Sequence, residues 1–246
     1  MAKALAKCNK IWVGGYDWTG KHTQISLTYA AAVKESTTFC EDPATFVGGL
    51  KSWKVAGSGY QEAIAETDAR PDKEIEDGLL GANNTEVSLV TGSTVGSVGY
   101  FGYATQVGYT TTADLGELWA FTMNAQGSGS IYRGWLLGEQ AITTAAAAGG
   151  TAFQAGTASG KTIRASAHCW LEDCSTIDLK VQSSPNGTDT WTDRLTFTQL
   201  AAIGAEIKSA DIGAVDDTYW RVYWDVSGGN GDASFGVVFS IDDIGE

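Results

Sequence analysis

Large apolar side chains alternate with polar ones in short runs along the whole 246-residue chain, and this period of two constrains the fold most. In a strand successive side chains point to opposite faces, so alternation marks a ribbon with one buried and one solvated side. "TQISLTYA" (23–30), "TEVSLVTG" (85–92), "VGYFGYATQVGYT" (98–110) and "GELWAFTMNAQG" (116–127) all show it. So do 50–60, "SIYRGWLLG" (130–138) and, with paired aromatics, "TYWRVYWDVSGG" (218–229). With 31 glycines and only 3 prolines, turns rest on glycine, and the expected class is mainly β. A helix is expected at 60–69 ("YQEAIAETDA"), and a second helical turn at 72–81 that Gly81 stops.

The chain reads as two units. Residues 1–138 are expected to form one β unit, 139–160 an Ala/Gly/Thr-rich linker with at most one short strand, and 161–246 a second β unit. In the second unit, 161–173 and 175–185 are expected to pair as a hairpin. The Asn-Gly of "SPNGTDTW" marks a turn, 194–209 a strand with a helical turn, "GGNGD" (228–232) a hairpin loop and 233–242 the last strand.

Charge and chemistry narrow the function. The net charge is −13, from 29 acids and 16 bases; residues 1–138 hold 14 and 10 of these (−4) and the remainder 15 and 6 (−9). That balance argues against tight phosphate binding, which needs clustered Lys and Arg. No run approaches the roughly 20 apolar residues of a membrane helix, no signal peptide is recognisable, and cytosolic synthesis without membrane contact is expected. The four cysteines (Cys8, Cys40, Cys169, Cys174) have no zinc spacing; reduced thiols are expected, with Cys169–Cys174 the one disulfide candidate.

The only histidines are His22, in a turn, and His168, expected as a surface or interface imidazole. The carboxylate pairs Glu41–Asp42, Glu172–Asp173, Asp216–Asp217 and Asp242–Asp243 sit at expected turns or ends and read as solvated acids, not as a hydrolase pair. "GGNGD" occurs once, too little for a calcium repeat. No catalytic residue, metal or cofactor is expected, and the protein is not read as an enzyme. Tyr219, Trp220, Tyr223 and Trp224 keep a carbohydrate-binding module open as the alternative, against a sandwich core.

One stretch carries a resemblance. "VGGYDWTG…ISLTY" leads into "ESTTFCEDPATFVGGLKSWKVAGSGYQEA" (35–63), then "YFGYATQVGYTTTADLGELWAFTMNAQGSG" and "IYRGWLL". This order resembles the major tail tube proteins of long-tailed, non-contractile (siphovirus-type) bacteriophages, in which a "TTF…D…TFVPGLK" loop separates two antiparallel strands. Thr37, Thr38, Phe39, Asp42, Thr45, Phe46, Val47, Gly49, Leu50 and Lys51 match; Gly48 stands where such proteins carry Pro, and Cys40 where Gly is common. The match is strongest over 11–138.

The resemblance implies a β-sandwich with a short flanking helix, whose inner sheets join between copies into a ring-shaped β-barrel. Stacked rings form the conduit for DNA ejection, with the protein located in the virion tail. Two tube-like units per chain imply trimeric, pseudo-hexameric rings; a decorative second unit implies hexamers. Tail terminator, tape measure and baseplate proteins are the implied partners, and DNA passes without specific binding. Thr38, Phe39, Glu41, Asp42, Phe46 and Val47 are then expected to make the inter-ring contact, and Asp114, Glu117, Asp173 and Asp178 to face the lumen.

Overall fold

The computed structural model describes residues 9–36, 46–61, 74–115, 117–173, 176–228 and 232–243. Nearly all of it is strand. The first strands are β1 (Lys10–Val13), β2 (Tyr16–Asp17), β3 (His22–Glu35), β4 (Phe46–Tyr60), β5 (Thr85–Val90), β6 (Val98–Thr112) and β7 (Ala120–Thr143). Then come β8 (Ala147–Gly149), β9 (Phe153–Gln154), β10 (Lys161–Asp173), β11 (Thr176–Ser184), β12 (Thr192–Thr196), β13 (Gly204–Ile212), β14 (Tyr219–Ser227) and β15 (Asp232–Asp243). One helical turn of π type, Ile75–Leu79, ends before Gly81, which takes φ 77°. Most of the helix expected at 60–69 lies outside the described residues.

The strands form two sheets. The larger has ten, in the order β13-β10-β15-β7-β6-β5-β1-β2, with β4 added to β7 and β3 to β4. The smaller has five, β12-β11-β14-β8 with β9 also on β14. Neither closes into a barrel within the chain.

β7 is the spine. It is 24 residues long, where strands usually run 3–10. Sequence suggested two strands broken at "GSGS" (127–130). Instead the chain stays extended and absorbs the small residues in a bulge. The β6 register slips there, between Gly102↔Ile131 and Tyr103↔Ser128, and Gly129 adopts φ 79°, a left-handed value that glycine reaches without steric cost. The expected boundary at residue 138 falls inside this strand. Residues 139–143 continue β7, and two short strands, β8 and β9, lie within the rest of the expected linker.

Packing divides where the sheet does not. One core gathers Ile11, Trp18, Trp53, Val55, Val87, Phe121 and Met123. A second packs Ile163, Ala165, Ala167, Phe235, Val237 and Phe239 of the large sheet against Ile177, Leu179, Val181, Trp220 and Val222 of the small one. Trp12, Val90, Phe101, Leu136 and Val238 fill the seam between them. Gly236 lets that seam close, because a Cβ there would sit 2.4 Å from the Trp12 ring.

Three local expectations are corrected. β10 and β11 do not pair: β10 lies between β13 and β15 in the large sheet, and β11 between β12 and β14 in the small one. β14 and β15 likewise belong to different sheets and do not pair as the hairpin expected around 228–232. The helical turn within 194–209 is a bend at 201–203 leading into β13. The Asn-Gly turn does join a hairpin, β11 to β12, with Gly187 at φ 74°.

Candidate assembly surface

The longest run of exposed residues among those described, 28–36, lies on the β3–β4 ribbon. Its inner half is anchored: Trp53 and Val55 are buried, and Ile25 and Leu27 pack against the same core. Beyond Tyr29 and Trp53 the two strands stay paired as far as Glu35↔Phe46, but every described side chain from 29 to 36 and from 48 to 52 is exposed. Val33 is 61% and Leu50 88% exposed. A two-stranded ribbon with no covered face is marginal by itself. Among the described residues β3 pairs with β4 alone, leaving its other edge open over 14 residues.

The inter-ring residues expected from sequence fall at the end of this ribbon. Phe46 and Val47 begin β4; Thr38, Phe39, Glu41 and Asp42 lie outside the described residues, between Glu35 and Phe46. The four acids expected to face the lumen lie on three different elements. Asp114 and Glu117 sit in the β6–β7 loop, where the Glu117 N–H donates to the Asp114 carbonyl at 3.0 Å. That loop also exposes Leu115, Leu118 and Trp119. It lies at the anchored end of the ribbon, since Tyr60 of β4 pairs with Ala120. Asp178 is on β11 in the other sheet, where Gln199 Nε2 donates to it at 2.8 Å, and Asp173 ends β10.

A fork opens where β7 changes partners. β4 pairs with it only as far as Gln126, and β15 starts at Trp135. No strand pairs with residues 127–134 on that edge; the Trp53 ring lies against Gly127 and the Phe239 carbonyl against Gly134, and a cleft of about 580 Å³ occupies the gap between them. Its walls include Tyr29, Trp53, Tyr132, Lys51 and Arg133. Trp53 Nε1 donates to the Gly129 carbonyl at 2.9 Å, and Gln126 Nε2 to the Trp53 carbonyl at 2.9 Å. Behind Tyr132, Arg164 reaches Asp242 at 2.8 Å and lies 4.6 Å from the Tyr132 ring centre. No sequence signal marks this cleft, because it arises from the branching of a sheet.

The residues weighed for chemistry have structural surroundings. His168 is fully buried in the seam, not at the surface. The Gly15 N–H donates to Nδ1 at 3.3 Å, so the neutral ring carries its proton on Nε2, which faces Ser88 Oγ at 2.9 Å and Ser166 Oγ at 3.2 Å. Burial lowers its pKa to about 3. His22 opens β3 between Trp18 and Phe121. Cys169 is buried; Cys8, Cys40 and Cys174 lie outside the described residues.

Trp220 is fully buried and Trp224 packs on Phe235, so the two tryptophans belong to the core and do not form a sugar platform with Tyr219 and Tyr223. Of the carboxylate pairs, Asp217 accepts from Ser183 at 2.6 Å and Arg194 at 3.0 Å, and Asp242 from Arg164. Among the described residues no three His, Cys, Asp or Glu side chains converge as a metal site would require.

No protein-family model and no curated protein sequence matches the chain. Several solved structures resemble parts of it. A chain of the virion of a native gene transfer agent particle shares 15% identity, with a TM-score of 0.39, over 50% of this chain and 94% of its own. The Dit protein of phage SPP1, titled a paradigm of hub adsorption apparatus, shares 11% identity at a TM-score of 0.40 over 96% and 99%. A chain of the PVC sheath–tube complex of an extracellular contractile injection system shares 9% at 0.41 over 53% and 90%. Likenesses of this size carry no weight of their own.

Proposed function

We propose that this chain is a structural subunit of a bacteriophage tail tube. The observation that supports it is the β3–β4 ribbon, whose outer half is exposed on both faces and which is open along β3 among the described residues. An open edge invites pairing with another chain, and monomeric proteins blunt such edges with prolines, charges or bulges. β3 has no proline, and residues 24–33 ("QISLTYAAAV") carry no charge. A surface so built is served by a second copy. Joining edges around an axis removes them all, and the resulting ring stacks through loops at its two poles.

In this reading the sheets of neighbouring copies close into a ring-shaped β-barrel. Three chains complete it if both cores contribute equivalent units, six if the second is an outer decoration. The ribbon tip contacts the next ring, and the acids proposed for the lumen are Asp114, Glu117, Asp173 and Asp178. Net negative charge keeps DNA from adhering as it passes. The protein acts by assembly and not by catalysis, in the virion tail, with terminator, tape measure and baseplate proteins at the tube's ends.

The test is negative-stain microscopy and sedimentation of the purified chain beside Leu50→Asp. Rings or tubes from the natural sequence, and single chains from the variant, are expected. Failure of the natural sequence to associate at any concentration would refute the proposal.

A further inference from the structure

We infer that the fork between β4 and β15 is the receptor for the ribbon tip (residues 35–46) of a second copy of this chain. The inference rests on the assembly reading and specifies where the tip lands. The cleft inverts the charge of its surroundings: in a chain of net charge −13, Lys51 and Arg133 line it. Neither has an ion-pair partner among the described residues, while Asp242 in the wall is held by Arg164. The tip, "ESTTFCEDPATF", carries Glu35, Glu41 and Asp42 and no base, with Phe39 and Phe46 to meet the aromatic walls. Between the Trp53 indole, which takes the Gly129 carbonyl, and β15, the β7 edge at 130–133 has no strand paired to it and adds backbone donors and acceptors for an extended segment, as in strand addition.

Geometry makes the contact intermolecular. Tyr29 and Trp53 line the cleft, and β3 runs extended for six more residues to Glu35. At ~3.3 Å per residue the tip starts ~13 Å beyond Lys51, the outermost cleft residue on the ribbon, and ~20 Å beyond Tyr29. A tip on one copy and a cleft on the next form a head-to-tail pair, which closes into a ring or propagates as a stack. The other exposed apolar candidate, the 113–119 loop, fits the tip poorly, because Asp114 and Glu117 would repel its acids.

The tip holds a native reporter, Cys40, and the cleft an exposed serine, Ser130. Ser130→Cys protein is assembled, oxidised with diamide and run without reductant, beside Ser130→Cys/Cys40→Ser. A ladder of linked copies that needs both cysteines is expected. In parallel, Lys51→Glu/Arg133→Glu should abolish assembly, and adding Glu41→Lys/Asp42→Lys should restore it. Rings that form without the link and ignore the charge reversal would overturn the docking and leave the tube reading intact. Single chains under all conditions would overturn both.

Discussion

Acidification between pH 7 and 5 should weaken the fold chiefly through His168. Unfolded, it titrates near 6.5; folded, buried between Ser88, Ser166 and the Gly15 N–H, it stays neutral down to about 3. A second proton would sit on Nδ1, facing another donor, with no counter-charge. Because the folded pKa is depressed, the unfolded state binds the proton first. Stability is therefore complete above 6.5 and falls as pH drops, by about 1.4 kcal/mol per unit once the unfolded imidazole is charged. Integrated from pH 7 to 5, the loss is about 2 kcal/mol.

Urea unfolding of dilute, unassembled protein at both pH values measures it, with His168→Gln and His168→Asn as references that cannot ionise. Glu86, whose pKa burial raises, acts in the opposite direction, and His22, lowered mainly by burial, in the same one. Both are present in every protein compared, so the difference between wild type and variant isolates His168. Parallel pH dependences would refute the reasoning.

Other outcomes follow from packing. Gly236→Ala drives a methyl into the Trp12 ring and should cost about 1–3 kcal/mol, read by urea midpoint, because the flanking backbone is fixed by ladders on both sides. Trp220→Ala should cost about 3–5 kcal/mol and leave any glycan signal on an array unchanged, since its ring is buried and its Nε1 donates to the Gly156 carbonyl. Leu50→Asp, at an 88% exposed position, should leave subunit stability within about 0.5 kcal/mol by thermal melt while removing association.

Strand positions were legible because alternation is local: β5, β6 and β14 lie where the pattern puts them. Pairing was not. β10 and β11 are adjacent in sequence and read as a hairpin, yet β10 is flanked by β13 and β15. The clue is that β10 is buried on both faces, Ile163, Ala165 and Ala167 on one and Thr162, Ser166 and His168 on the other. Polar residues on the second face imitate a solvent side, and their partners, such as Ser88, are remote in sequence. The aromatic strand misled in a related way: Trp220 and Trp224 share the inward face, and only Tyr219, Arg221 and Tyr223 alternate with them. The ribbon and its tip were visible as a loop motif, whereas the fork depends on β7 exchanging β4 for β15, which no window of sequence contains.

The central claim is that copies of this chain join through open strand edges into a hollow ring. Electron microscopy of the purified protein at rising concentration tests it most directly. The account predicts annular end views with three or six copies around a central channel, lengthening into tubes. A solution that stays at the mass of one chain, with the open edge of β3 protected from amide exchange, would contradict it.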